Sequence, residues 1–185
     1  MKHTPTPQNK KPAVASLVLI LSAVMLFFFG SQYYVKYRAV AQALGVFCLA
    51  VAVFFIIKAL TVYTYTVYPK DANTGKSVSD LAPNELTLTV SKRFGTGRET
   101  NRAQLDLGTL SNVLPLPAPG AERKKALRDC GKMALYYYTV TFRPNESTLL
   151  VFEQEGAEKI GIVIEPDGDF KGFLEEAARR NGTKK

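Results

Sequence analysis

Two long apolar runs open the chain. Residues 13–29 carry no charged side chain, and residues 39–57 repeat this pattern with Gln42 as the one strongly polar residue. A helix needs about 20 mostly apolar residues to cross roughly 30 Å of hydrocarbon. The pattern therefore predicts transmembrane helices over residues 13–34 and 39–60, which a short link joins as an antiparallel hairpin.

The first apolar run also has the basic start and the apolar core of a cleaved signal peptide. However, no A-x-A-like cleavage site follows the core, and a second apolar run comes at once. We therefore interpret the first run as a retained anchor, preceded by a disordered basic tail over residues 1–12. Two buried helices of a soluble core are the weaker alternative, because a helix that is apolar all round needs a large protein around it.

From residue 61 the hydrophobic period changes to two. Residues 61–68 (TVYTYTVY) alternate Thr with Val or Tyr, which is typical of a β-strand. Further strands are predicted over residues 85–93, 98–107, 110–116, 133–142, 148–153 and 159–164. Residues 94–97 indicate a hairpin turn, and residues 121–129 fit either a short helix or a charged loop.

An amphipathic helix is predicted over residues 169–180, with Asp167 or Asp169 as its N-cap. The apolar face of this helix carries Phe170, Phe173, Leu174 and Ala177. We expect this face, and Phe173 in particular, to be buried across the open end of two stacked sheets. Residues 182–185 are predicted to fray.

This order of elements resembles bacterial membrane proteins that carry a pleckstrin-homology-like (PH-like) domain after a transmembrane hairpin. The resemblance covers nearly the whole chain and rests on the strand that leaves the membrane, residues 102–107 (RAQLDL) and the capped terminal helix. It implies an α+β domain over residues 61–181, with about seven antiparallel strands in two bent sheets and one C-terminal helix. The connection over residues 69–83 and the Pro-rich insertion over residues 115–129 depart from a compact version of that family.

Charge is divided as unevenly as hydropathy. The formal net charge is +8, and every Asp and Glu lies at or beyond Asp71. The ends of the predicted hairpin that adjoin the tail and the domain carry Lys2, Lys10, Lys11, Lys58, Lys70 and Lys76, whereas the link carries Lys36 and Arg38. Because Lys and Arg concentrate on the cytoplasmic side of a membrane, we expect a multi-pass protein of the cell membrane with both termini and the domain in the cytoplasm.

Candidate catalytic and metal-binding residues are sparse. The chain has one histidine, His3, which falls in the tail. Residues 73–77 (NTGKS) are similar to the end of a phosphate-binding loop, but Lys70 stands where that motif requires Gly. Residues 167–169 (DGD) fit a turn and an N-cap better than a calcium loop. We therefore expect no enzymatic activity, no cofactor and no metal site.

Two clusters of basic residues are the remaining candidates for function. One surrounds the predicted turn at residues 94–97, and the other lies in the Pro-rich insertion. The candidate contact residues are Lys92, Arg93, Arg98, Arg102, Arg123, Lys124, Lys125, Arg128 and Lys132. A solvated surface is the plain alternative, with Glu99, Glu122 and Asp129 as neighbours. Tethering to a bilayer would hold such cations near an anionic leaflet, where each is worth about 1 kcal/mol.

These features favour a non-enzymatic membrane-anchored binding or scaffold module that contacts a protein partner or anionic headgroups. The tyrosines at residues 136–138 are a further candidate surface for a protein partner. The alternative is an accessory structural subunit of a transporter or secretion complex, in which small residues pack against other membrane helices. These residues are Gly30, Ala41, Ala43, Gly45 and Ala52. An enzyme comes third, and no nucleic acid is expected, because the charge of the domain is nearly balanced.

Overall fold

The structure is a computed structural model that describes residues 1–6, 11–33, 37–71, 77–141, 144–154 and 156–183. Several predictions fall partly outside these residues. They concern Lys10, Lys36 and Lys76 of the charge count, residues 73–76 of the phosphate-loop comparison, residue 34 of the first helix, residue 142 of a strand and residues 184–185 of the tail. The chain divides into two compact units, Pro7–Thr61 and Met1–Thr6 with Val62–Lys185.

The unit Pro7–Thr61 contains the two apolar helices that the sequence predicts. Helix α1 covers Lys11–Tyr33 and helix α2 covers Arg38–Leu60. Both are long and apolar enough, by length and composition, to cross a membrane. Large apolar side chains remain exposed along both helices, as expected of surfaces that are covered by lipid rather than by protein.

Small residues bring α1 and α2 together. A β-carbon built on Gly30 would lie 2.6 Å from the Cβ atom of Ala41, and one on Gly45 would lie 2.8 Å from the ring of Phe27. Ala52 is buried. Three of these positions, Gly30, Ala41 and Gly45, therefore serve the contact between the two helices themselves.

The other unit is built from two four-stranded sheets. In spatial order, the first sheet contains β1 (Lys2–His3), β2 (Thr61–Pro69), β3 (Leu86–Phe94) and β4 (Thr100–Asp106). The second contains β5 (Leu110–Leu116), β7 (Ser147–Phe152), β8 (Ile160–Ile164) and β6 (Ala134–Tyr137). Alternating apolar residues of both sheets, such as Leu88, Leu150 and Ile162, form one buried core between them.

The first residues of the chain differ from the predicted disordered tail. Lys2–His3 forms strand β1, which pairs antiparallel with β2. The amino group of Met1 donates to the carbonyl oxygen of Val67 at 2.8 Å, and the N–H group of Val67 donates back to Met1 at 2.8 Å. So short a polar segment has no period from which such pairing can be inferred.

One strand pair corrects the expectation of an all-antiparallel fold. β6 runs parallel to β8, with Ala134 opposite Ile160, whereas β7 is antiparallel to both β5 and β8. β6 also ends at Tyr137 instead of residue 142. The reason is that the N–H groups of Val140 and Thr141 donate to the side chain of Glu165, at 2.6 and 2.9 Å, and not to a neighbouring strand.

Helix α4 (Gly168–Gly182) closes the core, and Asp167 caps it by accepting a hydrogen bond from the N–H group of Phe170 at 2.8 Å. Phe170 and Leu174 are fully buried. Phe173, for which burial was predicted, is only partly buried. Phe173 lies at the margin of the apolar face and lines a small surface cleft together with Leu81.

Residues Ala121–Asp129 form helix α3, the first of the two structures that the sequence allows. Ala126, Leu127 and Cys130 pack with a second cluster that includes Leu149 and Val163. These two residues alternate along their strands with residues of the main core, so α3 covers the opposite face of the second sheet. The central strands β7 and β8 of that sheet are therefore buried on both faces.

Candidate functional site

The nine predicted contact residues lie in two groups on different elements. Lys92 and Arg93 end β3, Arg98 follows the turn, and Arg102 lies in β4. The other five lie on α3 or just after it. Lys124, Lys125, Arg128 and Lys132 are exposed, whereas Arg123 is buried.

The β3–β4 turn presents an aromatic side chain among its cations. The N–H group of Gly97 donates to the carbonyl oxygen of Phe94 at 3.0 Å, and Gly95 adopts a φ of +56°, which favours glycine. This arrangement leaves the side chain of Phe94 49% exposed at the tip. An exposed aromatic ring between Arg93 and Arg98 suits contact with an interface where apolar and anionic groups meet.

The candidate cations differ from the other cations of the domain in their ion pairing. Within the described residues, none of the nine forms a salt bridge. Other cations do, in the pairs Lys2–Glu99, Lys70–Asp106, Lys159–Glu153, Lys171–Glu175, Arg179–Glu176 and Arg180–Glu176. Glu99, which the solvated-surface interpretation offers to the β3–β4 cations, lies 3.8 Å from Lys2 instead.

Helix α4 provides a comparison within the same domain, because its arginines are paired with a carboxylate. Glu176 accepts hydrogen bonds from both Arg179 and Arg180, at 2.8 to 3.0 Å. These bonds lower the pKa of the Glu176 carboxyl to about 2, and the bond from Arg179 has the larger effect. Among the described residues of the domain, the cations without a salt bridge therefore lie on α3, just after it, and on the β3–β4 hairpin.

Arg123 stands apart from its two lysine neighbours. Its residue is only 7% exposed, and its guanidinium carbon lies 5.5 Å from the ring centroid of Tyr137. The Nη1 atom is buried and has no hydrogen-bond acceptor within the described residues. A buried guanidinium without an anionic partner is costly, so this side chain is not part of a merely solvated surface.

Tyrosines connect the two basic groups. Tyr136 and Tyr137, on β6, are 49% and 50% exposed. Tyr138 packs edge-on against Tyr63, with ring centroids 5.6 Å apart. Burial raises the pKa of both Tyr63 and Tyr138, and the charge of Arg102 opposes that shift in each. The charge of Arg102 thus acts on Tyr138, and Arg123 lies over the ring of Tyr137.

A buried polar network lies elsewhere in the domain and was not predicted. His3 Nδ1 lies 2.9 Å from Asp167 Oδ2, and His3 Nε2 lies 3.2 Å from the carbonyl oxygen of Glu165. The imidazole also contacts the rings of Tyr65 and Phe170, at centroid distances of 6.0 and 5.8 Å. The sequence does not indicate the network, because His3 lies in a short polar segment with no periodic pattern.

Tyr65 completes this network. Its hydroxyl donates to the carbonyl oxygen of Tyr138 at 2.5 Å and accepts from the N–H group of Glu165 at 3.3 Å. Burial is the main reason why the pKa of the Tyr65 phenol lies well above its usual range. The network connects β1, β2 and the start of α4 and is exposed to solvent mainly at Asp167, so a role in holding the fold together explains it.

In the part of the chain that the structure describes, no group of three His, Cys, Asp or Glu side chains could hold a metal ion. No protein-family model, curated protein or solved structure matches the chain. The two basic groups and the tyrosines at residues 136–138 are the features of the described structure that bear on function.

Proposed function

We propose that this chain is a non-enzymatic, membrane-anchored binding module whose PH-like domain contacts anionic lipid headgroups. The observation that carries the proposal is the absence of ion pairs at all nine candidate cations within the described residues, while other Lys and Arg residues of the same domain are paired. Cations without protein partners are free to attract an external anion. A protein partner with an acidic surface is the alternative ligand.

The path of the chain supports a location beside the membrane. Met1–Thr6 belongs to the same compact unit as the residues that follow α2. If both apolar helices cross the bilayer, two crossings return the chain to the side from which it started, as this shared unit requires. The excess of Lys and Arg at these ends supports the cytoplasmic side.

Two features of the domain support the PH-like assignment. Two four-stranded sheets enclose one core, and a capped terminal helix closes it. The parallel pair β6–β8 and helix α3 are additions to the arrangement that the resemblance implies. The exposed tyrosines of β6 resemble the aromatic residues that anchor proteins at headgroup level.

The accessory-subunit alternative rested on small residues that are available for other helices. Gly30, Ala41 and Gly45 lie in the contact between α1 and α2, and Ala52 is buried. Of that set, Ala43 is exposed. The hairpin itself therefore accounts for most of the small residues on which that alternative depends.

Vesicle binding tests the proposal. The full chain would be placed in nanodiscs of neutral lipid and incubated with vesicles that either contain or lack an anionic phospholipid. Binding should require the anionic lipid and should fall as salt shortens the Debye length from about 10 Å at 0.1 M. Replacing four exposed cations, Lys124, Lys125, Arg128 and Lys132, with Gln should remove most of the attraction, because four charges near the surface contribute at most roughly 4 kcal/mol.

The chain offers a matched control for this variant. Lys159, Lys171, Arg179 and Arg180 are also partly exposed, but each is paired with a carboxylate. Replacing these four with Gln changes the net charge by the same amount and should weaken vesicle binding far less. Equal losses of vesicle binding in the two variants, or equal binding to neutral and anionic vesicles, would show that the exposed cations are only a solvated surface.

A further inference from the structure

We propose that Arg123, Ser147 and the N-terminus of helix α3 form a specific binding site for a phosphate group. The inference deepens the proposed function and in part rests on it, because it names one built site beside the diffuse attraction of the exposed cations. Among the described residues, four buried side-chain atoms have no hydrogen-bond partner: Arg93 Nε, Arg123 Nη1, Ser147 Oγ and Glu165 Oε1. Two of them, on Arg123 and Ser147, belong to this site.

The first of these groups is the guanidinium of Arg123. The Arg123 residue is only 7% exposed, and its Nη1 atom has no acceptor among the described residues. The ring of Tyr137 attracts the cation through its face, but an aromatic face does not accept the in-plane hydrogen bonds of a guanidinium. An oxyanion would satisfy both the charge and the N–H donors.

The second group is the hydroxyl of Ser147. This residue is 5% exposed, and its Oγ atom also has no partner among the described residues. Ser147 alternates along β7 with Leu149, which belongs to the cluster that α3 covers. Side chains two residues apart on a strand share a face, so the Ser147 hydroxyl lies on the α3 face of the second sheet.

Strand register brings the two groups to the same end of that face. Val163 on β8 is opposite Leu149 on one side and opposite Tyr137 on the other. Ser147 lies two residues from Leu149, and Arg123 lies over Tyr137. Ser147 and Tyr137 therefore lie two residues apart along the sheet, on the two strands that flank β8.

Helix α3 begins at this end as well. Leu116 lies opposite Ser147 at the end of β5, and only residues 117–120 separate it from the first residue of the helix. The N-cap position is Gly120, which provides no side-chain acceptor for the free N–H groups of the first turn. Glu122 in that turn is exposed, whereas Arg123 is buried, so the Glu122 carboxylate lies on a different side of the helix.

The hydrogen-bond donors of the proposed site determine which kind of ligand it can bind. A guanidinium, a hydroxyl and free helix N–H groups are donors that suit a tetrahedral oxyanion with several acceptor oxygens. The headgroup of an anionic phospholipid and free inorganic phosphate both present that chemistry. The exposed Lys124 and Lys125 beside Arg123 add a field that attracts either source.

Titration of the full chain in neutral nanodiscs with inorganic phosphate tests the site, with phosphorus NMR or calorimetry as the readout. Binding should saturate. Arg123→Gln should weaken it about tenfold or more, because a charge-assisted hydrogen bond is lost, and Ser147→Ala should weaken it several-fold. Arg179→Gln removes the same charge from an exposed position on helix α4 and should change the affinity less than about twofold.

A second arm distinguishes the source of the phosphate. Nanodiscs that contain phosphatidic acid should compete with inorganic phosphate if the lipid headgroup occupies the site, and should leave the titration unchanged if free phosphate is the ligand. If Arg123→Gln does not fold, Arg123→Lys and Ser147→Ala keep the test valid, since each alone should still weaken binding. Absence of saturable binding, or equal losses in Arg123→Gln and Arg179→Gln, would overturn the inference. That outcome would not decide whether the exposed cations bind anionic vesicles, because the variant with four cations replaced by Gln tests that binding separately.

Discussion

Replacing Phe170 with Ala should remove a large part of the stability of the domain. The Phe170 side chain is fully buried and packs against His3 and Tyr65, with ring centroids 5.8 and 6.2 Å away. Its own N–H group donates to the cap residue Asp167. The backbone cap survives the substitution, so the loss is one of apolar contact and of the cavity that remains.

The magnitude follows from the burial of the ring. Phe→Ala substitutions in closed cores cost about 3–5 kcal/mol, as the sum of a transfer term and a cavity term. The ring of Phe170 contacts His3 of β1 and Tyr65 of β2, so the site has little freedom to collapse, and the upper half of that range is expected. Domains of this size have a free energy of unfolding of about 5–15 kcal/mol.

Denaturant unfolding of the full chain in detergent would measure the effect. The chain has nine tyrosines and no tryptophan, and the core residue Tyr65 makes near-ultraviolet circular dichroism a direct probe of the domain. Phe173→Ala is the matched control, because Phe173 lies on the same helix but is only partly buried, and it should cost clearly less. A cost below about 1 kcal/mol for Phe170→Ala, or a larger cost for Phe173→Ala, would refute this account of the core.

Three further predictions concern single residues of the domain. Tyr65→Phe should cost about 1–3 kcal/mol, because it leaves two buried backbone partners unbonded. Because the pKa of this phenol is raised by folding, the free energy of unfolding should also fall as pH rises past about 10, and less so in the variant. Burial, and to a smaller extent the charge of Asp129, raises the pKa of the Cys130 thiol. In a Cys48→Ser variant at pH 8, iodoacetamide should therefore modify Cys130 more slowly than it modifies the cysteine of a short peptide. An equal rate would contradict the burial of Cys130. Gly161→Ala would place a β-carbon 2.5 Å from the sulfur of Met133. The substitution should lower the free energy of unfolding by about 1–3 kcal/mol in the same denaturant assay. An unchanged unfolding midpoint would show that the Met133 side chain moves aside.

Local signals in the sequence account for most of the elements that form. The hairpin turn at Gly95, the cap at Asp167 and the two apolar helices depend on residues that are close together in the chain. Strand partners depend on distant residues. The alternating pattern of β6 therefore did not reveal that its neighbour is the parallel strand β8, and no pattern revealed the docking of His3.

The candidate site, too, could be predicted from the sequence only in part. Three consecutive basic residues look equivalent as a charge run, yet Arg123 is buried and Lys124 and Lys125 are exposed. Helical spacing contained the signal, because Arg123 precedes Ala126 and Leu127 by three and four residues and so shares their apolar face. The missing partner of its guanidinium is a property of the packed structure and could not be inferred from spacing.

The pairing of β1 with β2 has a consequence for the order of assembly during synthesis. Lys2 meets Thr66 only after both apolar helices have been made, and His3 meets Glu165 only after 162 further positions. If the helices enter the bilayer as they emerge, they hold the ends of this long loop near each other and lower the entropy that its closure costs. Residues 2 and 3, which are made before both helices, are then among the last to reach their position in the fold.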